Sequence, residues 1–166
     1  MEKLNKRMTA IINKCCGLNI KAKLTSQFWV SENKQLISYS LIPDTCDKDF
    51  CNFVNKTWDC KFEPCTLALM ELSILHEVGH LKTFPYFSDR ARFYNQVCKV
   101  IIDRLPFDKL QNYLYFNLPL EKKATEWAIH FMRKYPKRAE YFAKKMNVAV
   151  QDFYKSFYKS EAGTEG

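Results

Sequence analysis

Histidine is scarce in this chain, with three among 166 residues, and glycine is nearly as scarce, with four. The first shortage makes any two histidines in register worth weighing as chemistry. The second, with no internal repeat and no low-complexity linker, argues for a single folded domain over residues 1–160. Long apolar runs are missing as well. Nothing approaches the ~18 consecutive apolar residues that a membrane span needs, so no membrane partner is expected. The opening stretch, MEKLNKRMTAIINKCCGLN, is charged throughout and lacks the roughly 7–15-residue apolar centre of a secretion signal. A cytoplasmic location is therefore the expectation. The closing residues 161–166 hold little to bury and are expected to fray.

Cysteine is not lacking, but its number, seven, is odd. Without an export signal, that predicts free thiols in a reducing compartment. Four of them form a symmetric pattern, Cys46-x4-Cys51 and Cys60-x4-Cys65. Structural zinc sites use tighter knuckles, with about 2–4 residues between cysteines, so ordinary buried thiols are expected instead. The chain is 47% hydrophobic and 15% aromatic, enough for a sizeable core. Its net charge of +8 favours an acidic partner. Most of that charge lies between Arg133 and Lys159, where eight basic residues face only Glu140 and Asp152.

Along the chain, Leu4, Met8, Ile11 and Ile12 fall on one side of an amphipathic helix that Gly17 stops. Ile20, Ala22 and Leu24 alternate with polar residues, and QFWV and LISYSLI flank a turn-like SENKQ. These predict a small antiparallel sheet. Residues 44–65 read as irregular or weakly helical. From Thr66, a plausible N-cap, TLALMELSILHEVGHLKTF is strongly helical until Pro85 and apolar on most faces, which predicts a central buried helix. Ser88 caps a further helix to about Leu105, and a short one is expected over 107–116. Pro119 starts another that ends at Pro136, and two short helices joined near Asn147 complete the chain. The fold class is α+β, mostly helical.

The central helix carries His76, Glu77 and His80 as His-Glu-x-x-His. Positions i and i+4 bring two imidazoles to one ion, and the carboxylate beside the first can take a proton from metal-activated water. Buried imidazoles also need partners, because desolvation without compensation costs several kcal/mol. Two imidazoles and a carboxylate suit Zn2+. The metzincin extension is excluded, since Thr83 and Tyr86 stand where glycine and histidine are required. The third ligand must come from further along. Glu121 heads a stripe with Ala124, Ala128 and Phe131 whose small residues allow close approach to the zinc helix. A glutamate in a first helical turn is also favoured for capping alone. Glu126 is the rival, on the more polar side with His130, which reads as a rim residue.

HEVGHL followed by EKKATEWAIHFMRKYP resembles the ImmA/IrrE family of zinc peptidases, whose pattern pairs HExGH with a later helix of E-x-x-A-N-x-F-A type ending near proline. Thr125 stands in place of the usual Asn and Trp127 in place of the usual Phe. The strands before the zinc helix and the later YFAKKMNVAVQDFYKSF are similar too, so the resemblance covers most of residues 20–158. Residues 44–65 have no counterpart. The resemblance implies a gluzincin-like fold, His76, His80 and Glu121 as metal ligands, and Glu77 as general base. It also implies a protein substrate, a helix-turn-helix transcriptional repressor.

The expectation is therefore metal-assisted peptide hydrolysis, with an edge strand within 27–42 aligning an extended substrate. Tyr113, Tyr115 and His130 lie in the right part of the chain to aid the reaction oxyanion. Two rivals stand beside it. The basic C-terminal helices suit nucleic-acid contact, although Tyr141, Phe142, Met146, Val148, Val150, Phe153 and Phe157 read also as the core of a helix pair with lysines on its solvated face. A zinc-bearing module could also bind a repressor without cutting it.

Overall fold

The structure is a computed structural model, and it describes residues 1–31, 33–41, 47–106 and 109–162. The first helix, α1 (Glu2–Cys16), buries Leu4, Met8, Ile11, Ile12, Cys15 and Cys16. It ends at Gly17, whose left-handed φ of 62° lets its N–H return to the Asn13 carbonyl. Three strands follow: β1 (Lys21–Leu24), β2 (Trp29–Ser31) and β3 (Leu36–Tyr39).

The sheet order is β1-β3-β2, with β2 antiparallel to β3 and β1 parallel to it. The expected all-antiparallel sheet is thus corrected to a mixed one. The reason lies in α1. Its side chains Asn5, Thr9 and Asn13, one turn apart, accept from the backbone N–H groups of Leu24, Ala22 and Ile20 at 2.8, 2.8 and 3.0 Å. Those bonds close one edge of β1, and its other edge takes β3, with Lys21 N–H donating to Gln35. Only β2 is left with an outer edge among the described residues.

Residues 44–65 contain a regular helix, α2 (Asp47–Trp58), rather than weak structure. Phe50, Cys51, Phe53 and Val54 recur at helical spacing and are buried, and Phe50 and Phe53 pack on Phe116. The core helix α3 (Leu67–Thr83) buries residues on all its faces, from Leu69 to Thr83. A 3-10 turn (Phe84–Tyr86) leads to α4 (Asp89–Ile102), capped by Ser88. Then come α5 (Lys109–Phe116) and α6 (Pro119–Lys134).

The C-terminal segment is one helix, α7 (Pro136–Ala162), not two. Ala139, Phe142, Met146, Ala149 and Val150 form an unbroken buried stripe across Asn147, which sits off that stripe. Continuous burial outweighs the weak helix propensity of a single asparagine. The helix runs through Ala162, and residues 163–166 of the tail expected to fray lie outside the described residues. A contiguous apolar core joins α1, the sheet, α2, α3, α6 and α7. The architecture is mostly helical α+β with a small sheet ahead of the core helix. No helix of the described residues is long and apolar enough to cross a membrane.

Among the described residues, the cysteines of this pattern form no second metal-holding group. Cys51 is buried and Cys60 half-buried, but Cys65 is exposed, against the expectation of uniform burial. Cys46 lies outside the described residues.

Candidate metal centre

The site is built on α3. Thr66 starts the helix by accepting from the Leu69 N–H at 3.2 Å, which sets the register that turns His76 and His80 to one side. Their Nε2 atoms lie 3.1 Å apart and their rings meet at 87°. Across from them runs α6, and what brings it so near is Gly79. A Cβ at that position would lie 2.3 Å from the Ala124 carbonyl oxygen. With no side chain at one crossing point and alanine at the other, the helices meet backbone to backbone. Glu121, one turn before Ala124, then places its Oε2 at 3.2 Å from His76 Nε2 and 3.1 Å from His80 Nε2.

Thr125 decides what these atoms want. Its hydroxyl donates to the Glu121 carbonyl at 3.0 Å, so its oxygen accepts from His76 Nδ1 at 2.9 Å. That commits the His76 proton to Nδ1 and leaves Nε2 with a lone pair facing the Glu121 carboxylate. Two lone pairs at that separation repel unless a cation lies between them. A proton on His80 supplies one partial remedy. Burial disfavours a charged His80 ring, yet the hydrogen bond and charge of Glu121 outweigh it, and the His80 pKa is raised. Burial likewise pushes Glu121 upward, but the hydrogen bond and charge of His80 help hold its carboxyl well below the usual range. His76, His80 and Glu121 form a nearly buried group able to hold a metal ion. The donor set fits a divalent cation that accepts nitrogen and oxygen.

Of the rivals for the third position, Glu126 is exposed and paired with Lys123 at 2.6 Å, and His130 is exposed. Both face away because they lie off the Glu121–Ala124–Ala128 stripe. Tyr113 is exposed and packs edge-on against Phe53. Tyr115 does reach the site.

A cleft of about 600 Å³ opens beside the triangle, lined among others by Phe28, Trp29, Phe50, Glu77, Ile102 and Phe116. Its walls are β2, α2, α4 and α5, so the outer edge strand borders the imidazoles. Burial raises the pKa of Glu77 in this wall, the neighbouring imidazoles opposing it. Two groups here were not singled out in the sequence. One is Thr125 as the acceptor that orients His76. The other is Lys99 of α4, which lines the cleft and approaches Glu121 Oε1 at 3.7 Å. A faint signal exists for it: Asn95, Lys99 and Ile102 share one helical face, and Asn95 is buried, accepting from the Leu120 N–H at the start of α6.

Lys137, Arg138, Lys144, Lys145 and Lys155 of α7 are exposed, while Phe142, Met146 and Val150 enter the core. Val148 and Phe157, expected in that core, are exposed because they lie off its buried stripe. Arg133 at the end of α6 bonds to the Trp58 carbonyl and Cys60. Comparison of the chain with protein-family models, with curated proteins and with solved structures found no match.

Proposed function

We propose that this chain is a zinc-dependent peptidase of gluzincin-like architecture, similar to the ImmA/IrrE family, acting on a helix-turn-helix transcriptional repressor. The observation that carries the reading is the convergence of His76 Nε2, His80 Nε2 and Glu121 Oε2, each within 3.2 Å of the others. Two imidazoles and one carboxylate, with an open cleft beside them, suit a catalytic zinc site that keeps a position open. An ion held there supplies Lewis acidity.

The remaining chemistry belongs to side chains of this protein. Glu77 lines the same cleft as His76 and takes the proton of the attacking water, later returning it to the leaving amine. Thr125 holds the His76 ring in the tautomer that points Nε2 inward. The outer edge of β2 aligns an extended peptide through its backbone groups, and the apolar cleft walls exclude water. Helix-turn-helix substrates are carried by the family resemblance alone.

The test pairs intact protein with Glu77→Gln. Both should take up one zinc ion, measured by elemental analysis. Only the intact protein should cleave repressor, with the variant slower by roughly 10³-fold or more. Retained cleavage in the variant removes Glu77 from its role. Binding of repressor without cleavage by either protein supports the non-proteolytic module instead.

A further inference from the structure

We propose that Lys99 is the electrophilic pole of the cleft, donating a hydrogen bond to the substrate carbonyl oxygen as it becomes an oxyanion, with Tyr115 holding it in place. The inference rests on the peptidase reading and adds the residue which that reading leaves unassigned.

Lys99 comes from α4, so it enters the cleft from a different element than the imidazoles and Glu121. Its ammonium donates to the Tyr115 hydroxyl at 3.0 Å and lies 4.8 Å from the centre of the same ring. The stem is thus gripped by one aromatic side chain through both its polar tip and its face. The ammonium also stands 3.7 Å from Glu121 Oε1, the oxygen turned away from the histidines. Among the described residues these two oxygens are its only close acceptors. An ammonium carries three donors, so at least one is left over; Lys99 lines the cleft, and 43% of its side chain is exposed. Glu77 and His76 line the same space.

A purely structural role would have Lys99 neutralise the buried Glu121. The geometry disfavours it. At 3.7 Å the pair is loose, while Glu121 Oε2 is already engaged by both rings at 3.1–3.2 Å. A fixed positive charge beside a site for a divalent cation is also opposed by repulsion. That cost has a use where negative charge develops during the reaction. When water adds to the scissile carbonyl, the C=O electron pair moves onto oxygen, the water proton passes to Glu77, and the new O⁻ needs prepositioned donors. Tyr113 and His130 cannot serve, being turned to solvent.

The experiment uses full-length protein loaded with Zn2+, in three forms: intact, Lys99→Met and Lys99→Arg. The probes are a phosphinic tripeptide, which presents a tetrahedral anion, and the neutral amide tripeptide with the same side chains. Zinc affinity is measured separately by chelator competition. Lys99→Met should keep zinc affinity within about threefold, bind the neutral amide as the intact protein does, and bind the phosphinic anion about 100-fold more weakly. Lys99→Arg should recover most of that loss. Equal binding of the anion by Lys99→Met and intact protein overturns the inference. So does a loss of zinc in Lys99→Met that accounts for the weaker binding, since Lys99 would then act only on Glu121. So too does a zinc-loaded intact protein that fails to prefer the anion. An intact protein that takes up no zinc is a distinct result, and it overturns the underlying metal reading.

Discussion

Glu71 sits on α3 outside the His76–His80–Glu121 group, buried, with one carboxylate oxygen, Oε1, lacking a hydrogen-bond partner. Burial pushes its pKa up to about 7. The folded protein therefore holds this proton at pH values where the unfolded chain has released it. Stability from this group is fully present below the ordinary carboxyl range and is lost as pH rises to about 7. The shift corresponds to about 3 kcal/mol. Glu71→Gln keeps the shape and removes the titration. In urea unfolding, the variant should match the intact protein near pH 4.5 and exceed it by about 3 kcal/mol at pH 8. A difference that does not change with pH rejects the assignment. At the same scale, Thr125 shows how little of a site a motif reveals. It departs from the pattern the chain resembles, yet its hydroxyl still fixes the His76 tautomer.

At the scale of elements, the crossing of α3 and α6 decides whether a site exists. Gly79→Ala sets two effects against each other. Alanine favours a helix by about 1 kcal/mol over glycine. Its Cβ would meet the Ala124 carbonyl oxygen at 2.3 Å, and backbone cannot swing aside as a side chain can. Overpacking of this kind costs about 1–3 kcal/mol, and the shift of α6 also carries Glu121 away from the rings. The variant should lose at least tenfold in zinc affinity while keeping His76 and His80. Unchanged affinity in chelator competition would show that the crossing can relax. Helix limits were legible where caps and prolines mark them, at Thr66, Ser88, Pro119 and Pro136. The break expected at Asn147 was not, because one weak residue cannot stop a helix whose neighbours on both sides keep the same buried face. The α2 helix reads from sequence as no more than weakly helical although Phe50, Phe53 and Val54 carry its period, since its partner, α5, lies far along the chain.

For the whole molecule, the His76–His80–Glu121 group, which could hold a metal ion, links segments that the unfolded chain does not hold together. His76 and His80 stand 45 and 41 residues before Glu121. An ion that binds only the folded form adds its binding free energy to stability. At a free zinc level about 1,000-fold above the dissociation constant, that is about 4 kcal/mol, or a rise in Tm of about 10 °C. Differential scanning calorimetry with zinc and then with excess chelator measures it. A Tm indifferent to both would mean that the triangle holds no ion in the native state.

By itself the sequence determined the imidazole pair, because four residues along a helix return to one face whatever surrounds it. It also determined most element limits, since caps and prolines act on their own backbone. The third donor, the direction of β1 and the arrival of Lys99 were decided only by tertiary structure. Each depends on which surfaces can approach closely: Gly79 against Ala124, the Asn5–Thr9–Asn13 row against β1, and Tyr115 against the lysine stem. Such pairings cross the chain and leave no period in it.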